Sequence, residues 1–278
     1  MAVREQQRRT GGVGFVAGLM ACVCVGAGGC SASGAAEDAR GGDAVEVLHA
    51  AAGRLVEGGT SKAGTSMEMA SGGTRVTIRG EGVYDYRKRL GRLKVLLPQD
   101  PAGQSEHRPI TELLAPGALF MKNRGAGVPA DKWVRVDTAG LSDGNLVTGG
   151  ATDPYAAAEL LLGARTATYV GRERFAGTEV RHYRGTADLA LASRDASEGN
   201  RQALAAAAKG FATARVPFDV YLDDEGRIRK VRHRFSFVNG REQGTVAVAS
   251  TTLLYDFGVA VDVRLPEEDD IYAGKIAE

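Results

Sequence analysis

The side chain best placed for chemistry is the thiol of Cys30. The chain has three cysteines, Cys22, Cys24 and Cys30, and all lie at its beginning. A thiol can serve as nucleophile, metal ligand, disulfide partner or acyl acceptor. Cys30 directly follows Ala27-Gly28-Gly29 and precedes Ser31-Ala32-Ser33-Gly34. No cysteine lies downstream, so the rest of the chain has neither a disulfide scaffold nor a Cys-based metal site. The other candidates are weaker. His49, His107, His182 and His233 are the four histidines, and none has a second ligand type at metal-site spacing. Asp223-Asp224-Glu225-Gly226 has the acids of a calcium loop without its roughly 12-residue ligand spacing. Asp and Gly side by side are ordinary hairpin-turn chemistry. The chain contains no P-loop, HExxH or CxxC motif. A hydrolase would need a clustered nucleophile and base that the sequence does not offer. The expectation is a protein that is not an enzyme, with no catalytic residues, no cofactor and no metal.

The segment ahead of Cys30 explains the cysteine. Arg4, Arg8 and Arg9 precede an uncharged run, GVGFVAGLMACVCVGA, at residues 12–27. A basic start, an apolar run and small residues make a secretory signal. The run is too short for a membrane span of roughly 20 residues. Small residues directly before a cysteine resemble the bacterial lipobox. That resemblance implies that the Cys30 thiol takes a diacylglycerol and that cleavage makes Cys30 the new N-terminus. Leu19-Met20-Ala21-Cys22 is the alternative site, with Cys22 lipidated. The polar tract SASGAAEDARGGD that follows Cys30 favours Cys30. Residues 1–29 are therefore expected to be a lipoprotein signal peptide, 30–42 a flexible tether and 43–278 one domain. Two or more acyl chains anchor a protein firmly, which implies a protein on the extracytoplasmic face of the cell membrane. The Arg8-Arg9 pair lacks the usual flanks of twin-arginine export and leaves the export route open.

Loss of Arg4, Arg8, Arg9 and Glu5 with the leader turns the formal charge from +1 to about −1. A near-neutral domain has no general attraction for nucleic acid. Its stability has to come from core burial, and at 6% aromatic residues that core leans on Val, Leu, Ile and Ala.

The elements that must position any site are legible in outline. Val47, Leu48, Ala51, Ala52 and Leu55 have helical spacing, with Asp43 as cap and Gly58 as stop. TSMEMAS, TRVTIRGEG, VYDYRKRL and RLKVLLP read as consecutive antiparallel strands. In GRLKVLLP the alternation partly fails, which predicts burial on both faces. ITELLA, ALFMKNR and KWVRVD follow as strands, then a long loop at 138–152. Asp153-Pro154 opens a helix that Gly163 ends. ARTATYVGRERF and TEVRHYRGTADLAL are joined by Ala176-Gly177, and DASEGNRQALAAAAKG is an Ala-rich helix. VPFDVYLD and RIRKVRHRFSF flank the Asp224-Glu225-Gly226 turn. GTVAVASTTLLYDF and a short VAVDVRL strand close the chain ahead of an acidic tail. About 10–12 strands in hairpin order and three helices predict an α+β fold. It is one large curved antiparallel sheet, a half-barrel, with helices packed on its concave face.

On that sheet Met67 and Met69 share one strand face, as do Val216, Phe218 and Val220. Val231, Phe235 and Phe237 share another, interrupted by His233, and Val246 and Val248 a further one. These ten are the candidate ligand-binding residues. Their periodicity fits an apolar cleft for acyl chains and equally a filled core. The runs Arg87–Arg89 with Arg92 and Lys94, and Arg229 to Arg234, read as solvent-facing sheet positions. Their functional alternative is contact with anionic lipid head groups.

The assembled features resemble the LppX/LprG-type lipoproteins of actinobacteria and, more distantly, the LolA-type carrier fold. The stretches that carry the resemblance are DPYAAAELL at 153–161, VGRERFAGTEVRHYRGTADL at 170–189, VPFDVYLDDEGRIRKVRHRF at 216–235 and YDFGVAVDVRLPEEDD at 255–270. The resemblance implies a half-barrel around helices, with a cavity that holds the acyl chains of a lipid or lipoglycan. It implies carriage or presentation of that ligand without covalent chemistry. The alternative function is an envelope sensor or protein-interaction module of the same fold, with an envelope protein as partner and no ligand cavity.

Overall fold

Short alternating stretches separated by Gly-containing turns build one antiparallel sheet of 11 strands. The computed structural model describes residues 32–71, 73–98, 108–239 and 244–274. The leader, Cys22, Cys30 and His107 lie outside the described residues. The first half holds β1 (Thr60–Ser71), β2 (Thr74–Asp85), β3 (Leu90–Leu96), β4 (Ile110–Ala115), β5 (Ala118–Lys122) and β6 (Val134–Asp137). The second holds β7 (Ala164–Phe175), β8 (Thr178–Asp188), β9 (Arg215–Leu222), β10 (Ile228–Asn239) and β11 (Gly244–Tyr255). The strand order is β6-β5-β4-β3-β2-β1-β11-β10-β9-β8-β7. The chain thus starts at the centre, winds to one edge, crosses to the other and winds back. The pairing of β1 with β11 joins the halves, from Lys62 opposite Tyr255 to Ala70 opposite Ala247.

The helices are α1 (Ala32–Gly58), α2 (Pro154–Glu159), α3 (Leu189–Asp195) and α4 (Glu198–Gly210). One hydrophobic cluster contains Leu48 and Leu55 of α1, Ala157 of α2, Ala192 of α3 and Leu204 of α4. It also contains sheet residues from Leu119 on β5 to Ala167 on β7. Strands near opposite edges reach the same helices because the sheet curves around them. It does not close, since β6 and β7 are not paired. The Asp153 carboxylate caps α2 by accepting from the backbone N–H groups of Tyr155 and Ala156, with Pro154 in the first turn. Ala176 and Gly177 both adopt positive φ, 48° and 81°, as a tight β7–β8 hairpin requires.

Several expectations need correction. The α1 helix starts at Ala32, within the stretch read as tether, and not at Asp43; Ala, Glu and Arg in that stretch are good helix formers. VYDYRKRL is not a separate strand. Its first residues continue β2 to Asp85, and 86–89 are the turn. β3 is buried on one face only, with Leu93 and Val95 inside and Arg92, Lys94 and Leu96 exposed. The end of TEVRHYRGTADLAL leaves the sheet at Asp188, whose carboxylate accepts from Leu191 N–H and starts α3.

VAVDVRL forms no strand. Residues 256–274 instead make an extended strap. It begins where Thr60 Oγ1 donates to Val259 O at 2.7 Å. It ends at β6, where Trp133 N donates to Asp270 O and Tyr272 N donates to Trp133 O, both at 2.8 Å. On the way Val263 and Ile271 pack with Leu113, Ala118, Phe120 and Trp133 against the convex side of the sheet.

Candidate ligand-binding face

The strand registers put the ten sequence-identified residues on one face. Met69 pairs with Val248, Phe235 with Val248, Phe237 with Val246, and Val231 with Val220. All ten belong to or pack against the single core cluster, alongside the helices. Met67, Val216, Phe218, Val220, Val231, Phe235, Val246 and Val248 are buried, whereas Met69 and Phe237 are half-buried. Phe211, just past α4, stacks on Phe235 at 5.0 Å and tilts against Phe237 at 6.4 Å.

The half-buried members mark one end of this layer. Met69 lies opposite Val76 at the β1–β2 hairpin. Leu97 follows β3, and Phe237 is close to the end of β10. Met69, Val76, Leu97 and Phe237 are all partly exposed hydrophobics packed on the core. They form an apolar rim at the sheet end away from the α1–β1 connection.

Polar side chains interrupt the layer at its centre. Thr65 on β1 lies opposite Thr252 on β11, and Ser250 lies opposite His233 on β10. All four are buried. The edge-to-edge crossing at 138–163 brings Thr152 to them. Thr152 Oγ1 lies 2.6 Å from Ser250 Oγ and 2.8 Å from Leu146 O. Among the described residues, His233 Nε2 and Thr65 Oγ1 have no hydrogen-bond partner. Burial pushes the His233 pKa down to about 3, so the ring is neutral at physiological pH. Ser250 and His233 are neighbours without the hydrogen bond of a nucleophile–base pair. Glu112 on β4, between Leu93 and Met121, is fully buried, and neither carboxylate oxygen has a partner among the described residues. Burial raises its pKa to about 8 against a weaker opposing pull from Arg124. A second acid, the half-buried Asp153, has its pKa raised to about 6 by burial, opposed by the N–H groups it caps and by the Tyr84 hydroxyl.

The sequence signalled His233, which broke an apolar alternation, but gave no sign of Glu112 or Thr65. His182 and His233, whose Arg-flanked strand positions read as solvated or half-buried, are both buried, His182 on the convex face. His182 Nε2 lies 2.9 Å from Asp219 Oδ1, and its ring stacks on Tyr221 at 4.3 Å. Arg184 Nε and Arg234 Nη2 donate to the same carboxylate, each at 2.8 Å. Burial alone would raise the Asp219 pKa, but these hydrogen bonds outweigh it and hold it at about 2. Among the described residues no group of three or more His, Cys, Asp or Glu could hold a metal ion. None of the described helices is long and apolar enough to cross a membrane.

The class this geometry defines is an open, curved antiparallel sheet with helices on its concave face and a polar patch within an apolar layer. No protein-family profile matches the sequence, and no curated protein matches it. Solved structures are similar in fold. The lipoprotein LppX from Mycobacterium tuberculosis is 10% identical with a TM-score of 0.43, over 79% of this chain and 99% of its own. LprF from Mycobacterium bovis is 13% identical with a TM-score of 0.39, over 81% and 97%. A LolA-superfamily protein from Nitrosomonas europaea is 10% identical with a TM-score of 0.34, over 77% and 94%. The group named from sequence motifs is thus found among the structural neighbours.

Proposed function

We propose that the protein is an extracytoplasmic lipoprotein, anchored through Cys30, that holds a lipid or other apolar ligand between its sheet and its helices. The observation that supports this reading is the rim of Met69, Val76, Leu97 and Phe237, where the apolar interior layer reaches solvent at one end of the sheet. An acyl chain entering there would replace water against apolar carbon, at about 25 cal/mol per Å². The interior side chains pack against one another, so uptake requires them to part from the rim inward.

The test is lipid extraction and native mass spectrometry of the mature protein, followed by acyl-probe binding to the delipidated form. The expected result is a co-purifying lipid and saturable probe uptake. Phe237→Asp is expected to weaken uptake at least about tenfold, a loss of 1.4 kcal/mol or more, with an unchanged circular dichroism spectrum. Delipidated protein that takes up no acyl probe would overturn the reading.

One observation favours a second reading. Tyr169 and Val170 on the edge strand β7 are 48% and 51% exposed, and an edge strand is a template for pairing. In that case the domain binds an envelope protein, and a membrane pull-down retrieves one stoichiometric partner that Val170→Lys releases.

A further inference from the structure

The convex face holds a cluster of arginines over a floor of small side chains. Arg75 and Arg79 project from β2, Arg232 and Arg234 from β10. The strands between them, β1 and β11, present Ala70, Ala247 and Ala249. An open cleft of about 200 Å³ lies there, lined by Arg75, Arg232 and Arg234 and by this floor. Cross-strand rows fix the layout: Arg79 opposite Ser66, Ser66 opposite Thr251, Thr251 opposite Arg232. Four carboxylates belong to this surface, since Glu81 follows Arg79 on the same face of β2 opposite Lys94 and Glu173 lies 3.3 Å from His182 Nδ1. Glu68 lies 3.4 Å from Arg232, and Asp219 lies beneath Arg234, Arg184 and His182. Asp219 is already outnumbered, and among the described residues Arg75 and Arg79 form no ion pair. The face is therefore cationic, although the whole chain is close to neutral.

Two apolar side chains border this surface. Leu96, opposite Arg79, is 51% exposed, and Val238 near the end of β10 is 63% exposed. We infer that this convex face docks on a bilayer containing anionic phospholipid, with the arginines at the phosphates and Leu96 and Val238 at the interface. Small floor residues let phosphates approach, and arginine forks match phosphate oxygens. The exposed aliphatic pair at the border suits a lipid surface, where charge and apolar carbon lie side by side. The inference is independent of any ligand inside the sheet.

The test is flotation of the full-length protein with phosphatidylcholine vesicles, with and without phosphatidylglycerol, at low and high salt. Every protein compared carries Cys30→Ala, so no acyl anchor holds it on the vesicles regardless of their head groups. Binding is expected to rise with phosphatidylglycerol and fall with salt. Arg75→Gln/Arg79→Gln is expected to lower the phosphatidylglycerol-dependent gain roughly 25-fold, from about 1 kcal/mol per arginine. Arg201→Gln/Lys209→Gln on α4 removes the same charge from the helical side and is expected to leave that gain intact. Equal loss in both double variants would reduce the effect to net charge and overturn the proposal. So would binding of the Cys30→Ala protein itself that ignores phosphatidylglycerol, or binding of inorganic phosphate at this cleft without any vesicle preference.

Discussion

Glu112 has its carboxyl raised to about 8 by burial, without a hydrogen-bond partner among the described residues. The folded state holds its proton long after the unfolded chain, near pH 4.3, has released it. Its contribution is therefore favourable below about pH 4 and is lost as pH rises towards 8. Glu112→Gln keeps the shape and removes the titration. Thermal unfolding is expected to show the variant gaining on wild type between pH 5 and pH 8 by an amount on the order of 2–4 kcal/mol. A pH-independent difference would mean that the carboxyl is solvated. Asp219 acts in the opposite sense: its depressed pKa stabilises above about pH 4 and that stability is lost as pH falls towards 2. At this scale the sequence was uneven. His233 interrupts the apolar face of Val231 and Phe235, yet its flanking arginines made it read as solvated or half-buried, and the structure buries it. Glu112 could not be assigned inward, because in ITELLA both faces are apolar, and the reason for Leu113 is a strap far away in sequence.

Hairpins were the most legible elements, since Ala176-Gly177 and Asp224-Glu225-Gly226 state their turns locally. The α3 helix, at seven residues, is too short to show a helical period, so the preceding alternation ran on into it. The strap at 256–274 was misread because its half-buried alternation is that of a strand, yet it lies across the sheet instead of pairing along it. Its role follows from its contacts: it covers Leu113, Ala118 and Phe120 and adds backbone hydrogen bonds at the β6 edge. Val263→Asp is expected to cost about 2 kcal/mol from lost burial. For a domain of this size that lowers the melting temperature by roughly 4–8 °C. Differential scanning calorimetry reads this directly, and an unchanged melting temperature would mean the strap is energetically idle.

For the molecule as a whole, composition and motifs gave the α+β class, the strand count and the likeness to lipoprotein folds. They did not tell a hollow interior from a packed one, because inward periodicity is the same for both. The anchor is tested by fractionation. Cys30→Ala is expected to shift the protein from the membrane to the soluble fraction, and Cys22→Ala to leave it membrane-bound; the reverse pattern would move the lipid to Cys22. The central β1–β11 pairing has a consequence for folding. The middle of the sheet is completed by two strands far apart in sequence, so each half carries a bare inner strand until β11 meets β1. Such distant pairings form slowly, so the two halves stay separable until this last register is set. Docking of the two halves along β1 and β11 is therefore expected to be the slow step of folding.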